Sequence, residues 1–283
     1  MLRRAAALLL VVLVPLASAF DSIPGGPHDD ITKAAARNAG YPEAGIDALT
    51  EAVRAVDIRD NKLEPNAHKV GRIDATADYA PEHHCDRVPP AGDLDAFVAT
   101  VEYIGQQRGV ARNASAAGDA KGALASLGNA LHAIEDCFSH SNAVDLDDPG
   151  AVVRAVNGNG SAPGGLWLTG FLPGAEDTER PPGDAYPHGD FAKDGADKND
   201  EAKAVLPDGR TKFEAARDLA EEAATVFLRG WVGNATSQEL AALAELKASD
   251  GSPLPQWDIP AAPLGVLALG IGLAAVGRRG PPG

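Results

Sequence analysis

The stretch LGNALHAIEDCFSHSNAVDL, residues 127–146, sets His132, Asp136 and His140 four residues apart inside an otherwise apolar pattern. A step of four nearly repeats its direction on an α-helix, so these side chains form one stripe. Leu124, Leu127, Leu131, Ile134 and Phe138 follow helical spacing, and Ala123, Ala125, Ala130 and Ala133 allow close packing. A helix this apolar is mostly buried, and buried His and Asp need partners or a metal. A solvated polar stripe with one ion pair is the simpler reading, and the apolar surroundings argue against it.

The same spacing bears on the number of ions. His132 and His140 lie about 12 Å apart along the helix axis. Zinc holds an imidazole nitrogen at about 2.1 Å, so one ion would struggle to bind both histidines. Asp136 lies between them and has two oxygens with which to bridge two ions. A multinuclear metal site is the expectation.

The chain has seven histidines, and all but His68 lie in segments rich in other potential ligands. His28 sits in PHDDIT, His83 and His84 in YAPEHHCDR, and His188 in AYPHGDFAKD. Imidazole and carboxylate are the natural ligand set for zinc.

PHDDIT, PEHHCDR, LGNALHAIEDCFSHSNAVDL and HGDFAKD, in that order, resemble the Het-C-type branch of the zinc-dependent phospholipase C and single-strand nuclease superfamily. That branch carries an ITxxA-type entry helix, an HFD segment, an ALHxxQDxxxHSN helix and an HGxxNKD segment. The resemblance covers roughly residues 20–230 and implies a mostly helical domain with two or three zinc ions in a cleft. Carried over, His84, His132 and Asp136 join an inner pair of metals, with Asp136 as the bridge. His140 and His188 serve the other ion, with Asp194 or Asp190 as its carboxylate. His28 matches the early histidine, which works with the mature N-terminal residue, here Phe20. The superfamily's early Asp has no clear match, leaving Asp74 and Asp78 as candidates. Its Glu four residues after the late histidine is replaced by Ala192.

Both ends of the chain bear on location. Residues 1–19 read as a secretory signal peptide: MLRR, an apolar stretch, then Ala17-Ser18-Ala19, with cleavage before Phe20. A second apolar run, 261–277, follows the Pro-rich linker 251–260 and precedes Arg278 and Arg279. Its length meets the lower limit for a membrane span, and the arginines would face the cytoplasm. Residues 261–279 therefore read as a membrane anchor or sorting tail, leaving the domain 20–250 exported and tethered at the cell surface.

Within that domain the readable segments have helical period: 29–39, 43–56, 92–108, 116–146, 211–232 and 237–247. Asp29 and Asp30 open the first, where negative charge favours a helix N-terminus, and Gly40 supplies a stop. The fold class is all-α, a compact multi-helix domain of zinc phospholipase C type with a C-terminal transmembrane helix. Residues 157–210 are rich in Gly, Pro, Asn and Asp and read as a long loop carrying His188. Its apolar island (Leu166, Trp167, Leu168, Phe171 and Leu172) either plugs the core or forms a lipid-contacting lid.

The two cysteines, Cys85 and Cys137, follow His84 and Asp136 directly. The related motifs usually carry Phe at both positions. An even count in an exported chain favours a disulfide; as a zinc ligand Cys137 would lie about 100° from Asp136, off the stripe.

The net charge of −15 argues against a sequence-independent nucleic-acid grip, which needs Lys and Arg along the phosphates, without excluding a nuclease whose metals hold the phosphate. The function expected is a zinc-dependent phosphodiesterase, phospholipase C-like, acting on a lipid phosphoester. Asp136 holds ions and Asp78 takes a proton. The alternatives are a nuclease of the same superfamily, or a surface or adhesion protein whose metal only braces the fold.

Overall fold

The computed structural model describes residues 24–60, 79–170 and 186–232. The expected signal peptide, the helix at 237–247 and the C-terminal apolar run lie outside the described residues, as do Phe20, Asp74, Asp78, Phe171 and Leu172. No helix among the described residues is long and apolar enough to cross a membrane.

The described chain is all-α in character. Its long helices are α1 (Pro27–Asn38), α2 (Glu43–Asp60), α3 (Asp93–Ala116), α4 (Ala120–Ser139) and α8 (Lys212–Val232). Shorter elements connect them: α5 (Gly150–Val156), α6 (His188–Phe191), α7 (Asp200–Lys203) and a parallel pair of two-residue strands, β1 (Thr169–Gly170) and β2 (Tyr186–Pro187).

The central helix is α4, which packs against α1, α2, α3 and α8. Every residue from Ala123 to Ser139 is buried, as its apolar pattern requires. Gly128 shows how tight this packing is. A Cβ there would lie 2.4 Å from the Ala52 Cβ and 3.0 Å from the Val53 nitrogen, so only glycine lets α2 approach this closely. That approach lies one turn before His132 and brings the C-terminal end of α2, with Asp57 and Asp60, against the polar stripe.

The expected helix 116–146 is shorter at both ends. Gly118, at φ 75°, separates α3 from α4, and the Asp119 side chain caps the new start by accepting from the Gly122 nitrogen. At the far end, the Thr169 nitrogen donates to the His140 carbonyl and the Lys193 ammonium to the Ser141 carbonyl. These carbonyls are satisfied from outside, so the chain leaves the helix there. His140 is consequently the C-cap, one position past the helix. α2 and α3 run further than expected, to Asp60 and Ala116.

The described parts of the segment after α5 are mainly irregular but anchored. Leu168 is fully buried in the core, while Trp167 is half-buried and stacks on Tyr186.

Candidate metal centre

His84 and Cys85 enter the site from a short turn, Pro81–His83, that follows Tyr79. Cys85 and Cys137 form a disulfide, with Cα atoms 5.0 Å apart. This crosslink fixes His84 and Asp86, one on each side of Cys85, against Asp136 on α4.

The first constellation gathers around His132. Its Nε2 lies 3.0 Å from His84 Nδ1, 3.0 Å from Asp136 Oδ2 and 3.5 Å from Asp57 Oδ1. His84 Nδ1 is in turn 3.3 Å from Asp136 Oδ2 and 3.5 Å from Asp57 Oδ1. His84 Nδ1, His132 Nε2 and Asp136 Oδ2 therefore face one another at 3.0–3.3 Å, while Asp57 lies beside both rings and groups with His28 and His132. A tetrahedral ion with ligands at about 2.0–2.1 Å has ligand–ligand edges of about 3.3–3.4 Å. The His84, His132 and Asp136 atoms and their spacing fit one face of such a site for a divalent cation. His28 joins from α1, its Nε2 3.2 Å from Asp136 Oδ1 and its ring stacked on His132 at 4.5 Å. Asp136 thus turns one oxygen to His84 and His132 and the other to His28.

The second constellation comprises Asp86, His140 and His188, with donor atoms within 4.8 Å of one another. His140 Nε2 lies 3.1 Å from His188 Nε2 and 3.0 Å from Asp194 Oδ1, placing Asp194 beside the same donors. The fit here is looser, because Ser139 donates to the same Asp194 oxygen and Lys198 lies 3.7 Å from the other. Asp190, the alternative carboxylate, is exposed and has no place in the cluster. The structure therefore separates His132 from His140, as the axial spacing requires. The two oxygens of Asp136 divide within the first constellation, between the His84–His132 pair and His28.

Partners behind the rings fix which nitrogen is available. His140 Nδ1 donates to the His84 carbonyl at 2.7 Å, leaving Nε2 to face His188. His28 Nδ1 lies 2.5 Å from Glu135 Oε2, leaving Nε2 toward Asp136. His84 Nε2 lies 3.3 Å from Asp60 Oδ2, leaving Nδ1 toward His132. Such outer partners are characteristic of ligating histidines.

The electrostatics are those of a buried acidic site holding protons. Burial works against charge on His84, but Asp136, Asp60 and Asp57 outweigh it and hold the imidazole up at about 10. His28 and His140 are likewise raised despite burial, by Asp136 and Glu135 in one case and by Asp86, Asp136 and Asp194 in the other. His132 goes the other way: burial lowers it against the pull of Asp136 and Asp57, which favours the neutral, ligating form. Asp136 lies well below the usual carboxylate range because His132, His140 and His28 overcome its burial. Its Oδ1 and His132 Nδ1 are buried without a hydrogen bond. Bound cations would take over the charge balance that protons on the imidazoles otherwise supply.

The sequence pattern brings His28, His84, His132, Asp136, His140, His188 and Asp194 together in this region. It overlooks Asp57, Asp60, Asp86 and Glu135, all buried beside these histidines. Asp29 lies in the first turn of α1 as expected, and does more there. It is buried, accepts from the Gly25 nitrogen, and pairs with Lys33 and Arg54.

No family model, curated protein or solved structure matches this chain.

Proposed function

We propose that this protein is an exported, membrane-tethered, zinc-dependent phosphoester hydrolase of phospholipase C type, with two or three ions per chain. The observation that carries the reading is the convergence of His84 Nδ1, His132 Nε2 and Asp136 Oδ2 at 3.0–3.3 Å, with Asp57 Oδ1 3.5 Å from both rings, beside a second His/Asp cluster. Adjacent cations bound there would supply Lewis acidity toward phosphoryl oxygens and lower the pKa of water. The chain's own part is to hold that charge in place. Asp136 turns its oxygens to two sets of histidines, Asp60 and Glu135 orient rings, and the disulfide joins the His84 turn to α4. Asp78 is the proposed proton acceptor. The four-motif resemblance supports the choice of phosphoester, and the acidic chain with its apolar C-terminal run supports a lipid over nucleic acid.

A bracing metal in a surface protein is the second reading. It is favoured by burial: His28, His84, His132, Asp136, His140 and His188 are all under 4 % exposed. Structural zinc sites are closed, whereas catalytic ones keep an open position. The test is release of phosphorylated headgroups from phospholipid vesicles, and of a chromophoric phosphodiester, by zinc-loaded protein with and without chelator. Chelator-sensitive turnover is expected. Zinc-loaded, folded protein that turns over neither substrate would leave the bracing role.

A further inference from the structure

Glu135 is a buried carboxylate that faces away from the converging donors and toward α1. Its Oε2 lies 2.5 Å from His28 Nδ1, and its Oε1 accepts the Thr32 hydroxyl at 2.7 Å. All three residues are fully buried. His28 and Thr32 are one turn apart on α1, so a single helix face clamps both carboxylate oxygens. The consequence falls on His28. With its Nδ1–H donated to Glu135, its Nε2, 3.2 Å from Asp136 Oδ1, is the nitrogen that would give up its proton and turn a lone pair to a cation. A carboxylate here fixes the tautomer and also adds negative charge one ring away from the donor nitrogen, which strengthens it as a ligand. An amide could fix the tautomer in only one of its two orientations. In the other its NH₂ would donate to Nδ1 and leave the proton on Nε2, where it blocks a cation. An amide never supplies the charge.

We propose that Glu135 is a positioning residue that sets the affinity of the cation His28 would hold, without contacting that cation. The inference rests on the metal reading above, and its test separates the two.

The experiment is a zinc titration of the whole folded chain against a chelator of known affinity, with elemental analysis, for wild type, Glu135→Gln, His28→Ala and the double variant. Glu135→Gln should weaken one ion about 10–100-fold and leave the others unchanged. His28→Ala should lose that same ion, and the double variant should be no worse than His28→Ala alone. Thr32→Val, which removes only one of the two clamping bonds, should weaken the same ion by less. It carries the test if Glu135→Gln does not fold by circular dichroism. Wild-type affinity at every ion in Glu135→Gln, or equal weakening of all ions in the folded variant, would overturn the proposal while leaving the metal reading intact. Wild-type protein that binds no zinc would overturn both.

Discussion

Replacing Cys85 and Cys137 together with alanine should destabilise the metal-free protein by about 2–3 kcal/mol. The bond spans a sequence separation of 52 residues. The chain-entropy relation assigns a loop of that size about 4 kcal/mol at 25 °C. Part of this is offset in the native state. Cys85 sits at φ 51°, in the left-handed region, which costs an L-residue about 1–2 kcal/mol that can relax once the tether is gone. Alanine is preferable to serine, because a hydroxyl at these fully buried positions would add its own desolvation cost. The assay is urea unfolding of both proteins in excess chelator, followed by circular dichroism. Zinc should then restore part of the loss, since a ligand bound only by the folded chain stabilises it by mass action. The crosslink should also matter more to zinc affinity than to helix content, because His84 and Asp86 flank it and Asp136 adjoins it. A loss below about 1 kcal/mol, with unchanged zinc affinity, would refute the claim that the bond holds the site together.

Three further outcomes follow from the same geometry. Asp136→Asn should lose zinc and any activity. Asp30→Asn, an exposed change in the first turn of α1, should cost only about 0.3–1 kcal/mol and no metal; equal small effects would remove Asp136 from the site. The pH dependence should depend on metal. His84 is raised from 6.5 to about 10, so its contribution to metal-free stability is fully present below pH 6.5 and lost as pH rises toward 10. The depressed Asp136 contributes in the opposite sense, present at neutral pH and lost in strong acid. Urea midpoints of metal-free protein should therefore fall between pH 6.5 and 10, and zinc should remove that decline; a flat metal-free profile would contradict the assignment. Gly128→Ala should cost about 1–3 kcal/mol by forcing α2 away from α4, and a neutral effect in thermal unfolding would refute the close approach.

Much of this site is legible in the sequence because its histidines are few and clustered, and because the ligand stripe interrupts an apolar helix. The disulfide is legible for a similar reason: two cysteines, each next to a candidate ligand. What is missed is carboxylates on faces already assigned to the core. Asp57 and Asp60 continue the buried stripe Ile46, Leu49, Val53 of α2 by steps of four and three, and Glu135 follows Leu131 by four. An acid at an apolar-stripe position was a readable sign, since it must be paired once buried. Asp86 carries no periodicity; its sign is its place as the acid of the HCD segment, where the related motif reads HFD. The helix end at Ser139 depends on donors from Thr169 and Lys193, remote in sequence, which no local pattern reveals.

The most direct test is the zinc content of purified, metal-replete protein, measured per chain by elemental analysis for wild type, His132→Ala and His140→Ala. The account predicts at least two ions in wild type, with each variant losing a different one: the ion shared by His84 and Asp136 in the first case, and the ion beside His188 and Asp194 in the second. One ion or none in wild type, or the same ion lost in both variants, would contradict it.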